Sequence, residues 1–285
     1  MVMENFDDLA TDRTVHLEDV RAHIASDQEG KQYLKRYWVT TTSGRTGQPR
    51  IFLFNRDEWM STLFALTRVW MWAGMPLMTH RHLLHKMPIA SLASESLWQM
   101  STQIGKTNSW MRWMPMRTFD ASQPTSQIVQ QLNDWPPHLL AGYTSAIRIL
   151  ADEQLAGRLC IHPHMIIPDS EVLTEETRGR IEAAWGHAPF DAFWATASGG
   201  PIAAERCDHN GLYLFEDNVI FEVVDEKYRP VPAGEYGDKL LITVLSSRTQ
   251  PLIRYELNDS IRIAGDTHDS DLPFARIDGI QRRTE

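Results

Sequence analysis

Between Ile89 and Thr196 the sequence alternates short β-type runs with helical runs, and this alternation limits the possible folds more than any other feature. Strands are predicted at 89–93, 114–119, 139–141, 158–167 and 190–196, and helices at 96–104, 126–133, 145–155 and 174–185. Because helices separate successive strands, we expect the strands to run parallel, with the helices packed on the faces of the sheet. The sequence therefore predicts an α/β fold with a mostly parallel sheet.

The alternation ends near residue 210, and the remaining sequence is rich in short strands. Five predicted strands follow one another without a helix, at 211–215, 219–224, 239–245, 252–256 and 261–264. Short strands in close succession are typical of antiparallel sheets and small barrels. We therefore expect two domains, an α/β core at 1–210 and a β-rich, barrel-like subdomain at 211–285.

The most apolar stretch, Met60–Met78, is interrupted by Arg68, Gly74 and Pro76. The apolar residues at 56–73 cover nearly every side of a helix, so this segment predicts a long buried helix that Pro76 ends. An unbroken apolar run is what a membrane span requires, so we expect no membrane partner.

Charge and cysteine content exclude further classes of protein. With a formal net charge of −9 and no long basic run, the chain is not expected to bind a nucleic acid polymer. Acidic residues at positions 4, 7, 8 and 12 exclude a secretory signal peptide. Two cysteines cannot form a disulfide framework, so a reducing cytoplasm is the expected location.

A loop rich in glycine and hydroxyl side chains, Thr40–Arg50, joins two β-type runs at 37–41 and 51–54. Gly44 and Gly47 permit a close approach of the backbone, and the hydroxyls and N–H groups around them suit a polyphosphate. The spacing differs from that of the P-loop, and no lysine follows the second glycine. An ordinary hairpin loop is the alternative interpretation.

Cysteine and histidine residues form two short groups with the same spacing. Cys160, His162 and His164 alternate along a predicted strand, and Cys207 and His209 repeat the spacing. Such residues could bind a structural zinc ion if the two groups met in space. Pro163 disturbs the strand, and the sequence alone does not bring the groups together.

Three motifs, in order, resemble those of the adenylate-forming ligases, and within them the phenylacetate–coenzyme A ligase family. The first, T-S-G-R-T-G-Q-P at Thr42–Pro49, is similar to the phosphate loop of that family. The second, F-W-A-T-A at 193–197, stands where the family has Y-G-x-T-E. The third, P-L-I-R-Y-E-L-N-D at Pro251–Asp259, is close to the family's P-L-I-R-Y-x-x-x-D.

The resemblance implies roles for residues that match the motifs. In the family the loop wraps the β- and γ-phosphates of ATP, the threonine of the second motif lies beside the α-phosphate, and the final aspartate accepts hydrogen bonds from the ribose. The matching residues here are Thr42, Ser43, Gly44, Thr46 and Gly47 in the loop, with Thr196, Arg254 and Asp259 in the other motifs. For Asp259 a turn-capping role before a strand is the alternative.

The chain also departs from the family pattern. Gln48 replaces the usual lysine or arginine of the loop, and Arg45 stands where relatives have serine or threonine. Ala197 replaces the acidic residue that holds Mg²⁺ in the family, and the sequence does not show whether Glu171 or Glu205 takes its place. In relatives a hinge similar to 280–285 leads to a mobile domain with a catalytic lysine, so we expect no thioester formation by this chain alone.

The resemblance implies that a carboxylic acid, in particular an aryl acid of the phenylacetate type, reacts with ATP to give an acyl-adenylate and pyrophosphate. The acyl group then passes to coenzyme A. The expected cofactors are ATP, Mg²⁺ and coenzyme A, the partner is the small acid, and a homodimer is left open. A catalytically impaired nucleotide- or acyl-binding module and a truncated ligase fragment are the rival interpretations.

Overall fold

A computed structural model describes most of the chain. The described residues are 2–26, 31–42, 49–74, 87–93, 98–107, 115–191, 194–196, 199–206, 209–257, 259–265 and 272–282. Within these ranges no helix combines the length and the apolar character needed to cross a membrane.

The chain begins with two short helices and a β-hairpin. These elements are α1 (Phe6–Leu9), α2 (Leu17–Ala25), β1 (Trp38–Thr41) and β2 (Ile51–Phe54). β1 and β2 pair antiparallel, with Trp38 opposite Phe54 and Thr41 opposite Ile51. The prediction that two strands flank the glycine-rich loop is confirmed.

A long helix, α3 (Arg56–Trp72), follows the hairpin. It begins with a capping box, in which the Asn55 side chain accepts from the N–H groups of Asp57 and Glu58 and the Glu58 carboxylate accepts from the Asn55 N–H. The prediction of burial on all sides is wrong: Met60, Phe64 and Met71 are 41%, 68% and 60% exposed. These three residues share one helical face, which lies opposite the side that packs on the protein.

The middle of the chain forms a parallel sheet, as predicted. Its strands are β3 (Ile89–Ala93), β4 (Met116–Asp120), β5 (Leu139–Tyr143) and β6 (Met165–Asp169), in the order β4-β3-β5-β6. The helices of this region are α4 (Met100–Thr107), α5 (Thr125–Asp134), α6 (Thr144–Leu155) and α7 (Glu175–Trp185). All three strand pairs run parallel, which confirms the fold class.

The last strand of this sheet is shorter than the sequence predicts. Residues 158–164 of the predicted strand have no strand structure, and β6 begins only at Met165. Pro163 has no N–H to donate to a neighbouring strand, which accounts for the late start. Pro168 lies within β6, where it is tolerated because β6 is an edge strand.

Antiparallel sheets form the rest of the molecule. Its strands are β7 (Trp194–Thr196), β8 (Gly200–Glu205), β9 (Leu212–Leu214), β10 (Val219–Val224), β11 (Lys239–Val244), β12 (Tyr255–Leu257), β13 (Asp259–Ile263) and β14 (Arg276–Arg282). One sheet has the order β13-β14-β9-β8-β7 and the other β10-β11-β12. Because β8 pairs with β9, the first sheet crosses residue 210, and the domain division at that residue stays a prediction.

A shared core fixes the hairpin relative to the third motif. Phe52 of β2, Trp59 of α3 and Leu252 of the motif belong to one cluster of buried side chains, together with Phe215. Gly200 at the start of β8 lies against α3, because a Cβ there would be 2.8 Å from the Thr62 methyl group. The segments that flank the glycine-rich loop and precede Asp259 are therefore held by the same core.

Candidate functional site

The glycine-rich loop is closed at its base by two hydrogen bonds. The Thr42 N–H donates to the Arg50 carbonyl over 3.0 Å, and the Arg50 N–H donates to Thr42 Oγ1 over 2.9 Å. The backbone N–H and the hydroxyl oxygen of Thr42, which was predicted to bind phosphate, therefore both take part in closing the loop. The other predicted phosphate-binding residues, Ser43, Gly44, Thr46 and Gly47, lie outside the described residues, as do Arg45 and Gln48.

The third motif meets the base of this loop. Tyr255 accepts a hydrogen bond from the Arg50 guanidinium, whose Cζ lies 5.8 Å from the Tyr255 ring centroid. Arg254 is held elsewhere: its Nε donates to Glu222 over 3.1 Å, and its backbone N–H donates to Thr243 Oγ1 over 2.9 Å. Two motifs that are 200 residues apart in the sequence therefore touch through Arg50, which the sequence analysis did not single out.

Asp259, the last residue of the third motif, lines a cavity of about 570 Å³. Ser170 and Glu171, from the loop between β6 and α7, line the same cavity. Ser170 has a φ of 63°, a conformation that is uncommon for a residue with a side chain. A cavity of this size, at the carboxyl end of a parallel strand, is a common place for a ligand in α/β proteins.

Thr196 is the last residue of β7 and pairs with Gly200. β7 and β13 are the two edge strands of their sheet, so Thr196 and Asp259 are not on neighbouring strands. The side chain of Thr196 and the whole of Ala197 lie outside the described residues. That the loop, Thr196 and Asp259 share one nucleotide therefore stays a prediction.

A buried carboxylate, Glu205, lines the same cavity as Asp259. It is 1% exposed and accepts from Arg178 Nη2 over 3.0 Å and from the Asp191 N–H over 2.7 Å. His209 Nδ1 lies 3.2 Å from its second oxygen. Glu205 thus connects α7, the residues just before the second motif and the segment before β9. The signal available in the sequence was a carboxylate directly after the apolar residues 202–204.

Two further carboxyl groups near this cavity have raised pKa values. Burial, with the charge of Glu205 nearby, raises the pKa of Asp191 to about 7, although Arg178 opposes the shift. Burial also raises the pKa of Asp169, at the end of β6, to about 6, and Glu171 adds to the shift. Ionisation of either group is disfavoured because its charge loses contact with water.

The cavity lining is acidic. Its carboxylates are Glu171, Glu175, Asp191, Glu205, Asp259 and Asp278, and its cationic or basic side chains are Arg178, Arg276 and His209. Carboxylates accept hydrogen bonds from hydroxyl groups and repel phosphates. The lining therefore suits the uncharged nucleoside end of a nucleotide better than its phosphate chain.

We expect Asp191 to make folding stability depend on pH. An acid with a raised folded pKa binds more protons in the folded than in the unfolded state, so the free energy of unfolding falls as pH rises between the two values. For Asp191 this window runs from its usual 3.8 to about 7. Relative to Asp191→Asn, the wild type should lose about 1 kcal/mol between pH 6 and pH 7.

Urea unfolding at half-unit steps of pH measures this difference. Asp134→Asn, which removes an exposed carboxylate outside the cavity, is the control and should follow the wild type. Equal pH dependence of the wild type and Asp191→Asn would contradict the raised pKa.

The proposed zinc ligands do not form a cluster among the described residues. Cys160 is exposed, its Sγ lies 3.7 Å from the Gly157 carbonyl oxygen, and His164 stacks on His138 with centroids 4.2 Å apart. Across the described ranges no group of three His, Cys, Asp or Glu side chains is arranged to hold a metal. Cys207 lies outside those ranges.

Comparison with known proteins finds partial relatives in sequence and wider similarity in fold. No family model matches the chain. A phenylacetate–coenzyme A ligase of Pseudomonas putida is 30% identical over 169 residues, which is 56% of this chain and 37% of that protein. A crystal structure of 2-hydroxyisobutyryl-CoA ligase with 2-HIB-AMP and CoA superposes on 92% of this chain and 56% of its own, with a TM-score of 0.67 and 22% identity.

The chain has the fold of the adenylate-forming acyl-CoA ligases. ATP-bound MatB of Rhodopseudomonas palustris shares this adenylate-forming fold at lower similarity, with a TM-score of 0.53 over 84% of the chain, 47% of its own length and 14% identity. The chain spans well under half of the P. putida ligase and about half of the solved structures. The resemblance read from three sequence motifs is thus confirmed for the adenylate-forming fold.

Proposed function

We propose that the chain catalyses ATP-dependent adenylation of a carboxylic acid, as the nucleotide-binding part of an acid–coenzyme A ligase. An aryl acid of the phenylacetate type is the proposed substrate, with ATP, Mg²⁺ and coenzyme A as cofactors. The similarity to a phenylacetate–coenzyme A ligase supports the acid class, and the solved ligase with an acyl-AMP and CoA supports the reaction type.

The observation that carries the proposal is the position of Asp259. The aspartate that ends the R-Y-x-x-x-D motif lines a cavity with the loop after β6, as a ribose-binding carboxylate should. Two adjacent ribose hydroxyls can each donate to one of its oxygens. The contact of Arg50, at the base of the glycine-rich loop, with Tyr255 of the same motif supports a nucleotide whose phosphate chain runs from the ribose towards the loop.

Different residues of the chain would then bind different parts of the nucleotide. Asp259 holds the ribose, and the hydroxyl and N–H groups of the loop bind the phosphates. Adenylation turns a carboxylate oxygen into a good leaving group, and donors around the phosphates stabilise the charge that develops. Mg²⁺, when bound, would neutralise part of the phosphate charge. Among the described residues the acidic lining offers carboxylates, but none is arranged as a metal site.

Exchange of labelled pyrophosphate into ATP tests the reaction. We expect exchange that requires both Mg²⁺ and an acid from a panel of aryl and aliphatic carboxylic acids. AMP binding measured by calorimetry on the same sample is the companion measurement. AMP binding without exchange would reject adenylation, and absence of both would reject the nucleotide site.

A nucleotide-binding module without adenylation activity is the second candidate. Gln48 and Ala197 favour it, because the loop lacks its usual cation and the second motif lacks the usual metal-binding carboxylate. If the missing carboxylate limits the reaction, Ala197→Glu should raise the exchange rate above that of the wild type. Ala197→Gln, which adds similar bulk without charge, is the matched control, and equal rates for all three proteins would show that position 197 does not limit exchange.

The proposal extends to the domains, the location and the assembly of the protein. Residues 1–210 form the nucleotide-binding core and residues 211–285 the β-rich subdomain. The protein works in the cytoplasm, which its two cysteines support. Size measurement by light scattering tests whether it forms a homodimer.

A further inference from the structure

A second cavity, of about 1070 Å³, lies between the N-terminal residues and the segment that leads to Asp259. Leucine side chains from both sides line it, Leu9 and Leu17 from the N-terminal region and Leu241 and Leu252 from the β-rich part. Cavities that bind small molecules are mostly apolar, with a few polar groups that fix the orientation of the ligand. The polar groups of this cavity therefore decide which ligand it suits.

Arg50 is the polar group that stands out. Its side chain is exposed at the cavity and donates one hydrogen bond, to Tyr255, and no carboxylate of the described residues forms an ion pair with it. A guanidinium has five N–H donors, so most of its capacity remains for a ligand. The position of Arg50 over the Tyr255 ring restricts the orientation of the guanidinium plane.

The other charged groups of the cavity already have partners. Arg254 pairs with Glu222, and Glu256 accepts from the Tyr228 hydroxyl over 2.9 Å. Arg21 and Glu4 each take part in an interaction as well. The cavity thus combines an apolar wall with one guanidinium that has no carboxylate partner among the described residues.

We propose that this cavity binds a monocarboxylic acid, with its carboxylate on Arg50 and its hydrocarbon body against the leucines. A planar guanidinium can donate two parallel hydrogen bonds to a carboxylate. The leucine walls add burial of apolar surface, which a bare inorganic anion cannot use. This acid site is separate from the cavity of Asp259 and does not require a bound nucleotide.

Calorimetric titration with phenylacetate and hexanoate, without nucleotide, tests the proposal. Both acids should bind the wild type, and Arg50→Gln should bind them at least tenfold more weakly. Arg50→Lys keeps the charge but not the paired donors, and should fall between the two. 2-Phenylethanol and hexan-1-ol have the same hydrocarbon parts as these acids but no carboxylate. Their binding should be weak, and Arg50→Gln should not change it.

Arg117→Gln is the matched control, because Arg117 is also exposed and also lies over an aromatic ring, that of Trp135 at 4.6 Å. Equal acid affinity in the wild type and Arg50→Gln, or no saturable binding of any acid, would overturn the proposal. Arg50-dependent binding of pyrophosphate in place of the acids would also overturn it. AMP binding on the same samples reports separately on the Asp259 cavity, so failure of one site is distinguished from failure of the other.

Discussion

Glu58→Ala should destabilise the protein by about 3 kcal/mol or more, the largest stability effect that we expect from a single side chain here. Glu58 is 4% exposed, and its carboxylate accepts from the N–H groups of Asn55 and Thr249, each over 2.6 Å, and also from the Arg248 N–H and the Thr249 hydroxyl. Removal of the carboxylate leaves the two buried donors of Thr249 and two partly buried N–H groups without their acceptor, and each unpaired buried donor is costly.

Thermal unfolding measures this effect, and a loss of about 3 kcal/mol should lower the melting temperature by roughly 6–12 °C in a chain of this size. Asp57→Ala is the matched control, because it removes an exposed carboxylate from the same helical turn. The control should change stability by less than about 1 kcal/mol. Similar melting temperatures for Glu58→Ala and Asp57→Ala would show that the buried hydrogen bonds contribute little.

Asp259→Ala should weaken AMP binding roughly 5- to 150-fold, which corresponds to about 1–3 kcal/mol for the lost hydrogen bonds to the ribose. Asp259→Asn keeps the size and one acceptor oxygen, so its loss should be smaller. Calorimetry with AMP and with 2′,3′-dideoxy-AMP gives a direct test of the contact. The wild type should prefer AMP, and Asp259→Ala should bind the two nucleotides almost equally.

Asp278→Ala is the control for the charge of the cavity, because Asp278 lines the same cavity and pairs with Arg262 over 2.7 Å. It should leave the preference for AMP intact. If Asp259→Ala retained that preference, the ribose would be bound elsewhere, and Asp259 would have only the turn-capping role considered from the sequence.

The fold class was predictable because hydrophobic pattern and element length decide it. The runs at 89–93 and 139–141 consist of apolar and small residues, helices separate them, and the parallel sheet forms as expected. The sequence also predicted the two strands that flank the glycine-rich loop. The sequence could predict these features because each depends on neighbouring residues.

Other features depended on contacts that the sequence does not display. Phe64 and Met71 are apolar, yet only the packing of α3 shows that they face outward. β14 was missed because its residues, Arg276–Arg282, mix charged and polar side chains with two isoleucines and a glycine. The strand forms by pairing with β13 and β9. Thr196 and Asp259 lie on the two edge strands of one sheet, with three strands between them, and the sequence does not show this order.

The residues of the candidate site also divide into those that the sequence predicted and those that only the fold reveals. Asp259 was found through the motif around it. From the sequence, Glu205 and Glu171 were carboxylates whose positions relative to the site were unknown. Only the fold brings both to the lining of one cavity. Arg50 had no signal of its own, because its importance comes from Tyr255, a residue 205 positions away along the chain.

The pairing of β8 with β9 limits how this protein can be divided. A cut near residue 210 would leave Ala203 and Glu205 without their partners Leu214 and Leu212, and each fragment would present an unpaired apolar strand edge. Such edges pair readily with other chains, so either fragment made alone would tend to aggregate. For the same reason the two halves should unfold in a single cooperative step, and a protease should not release one half intact.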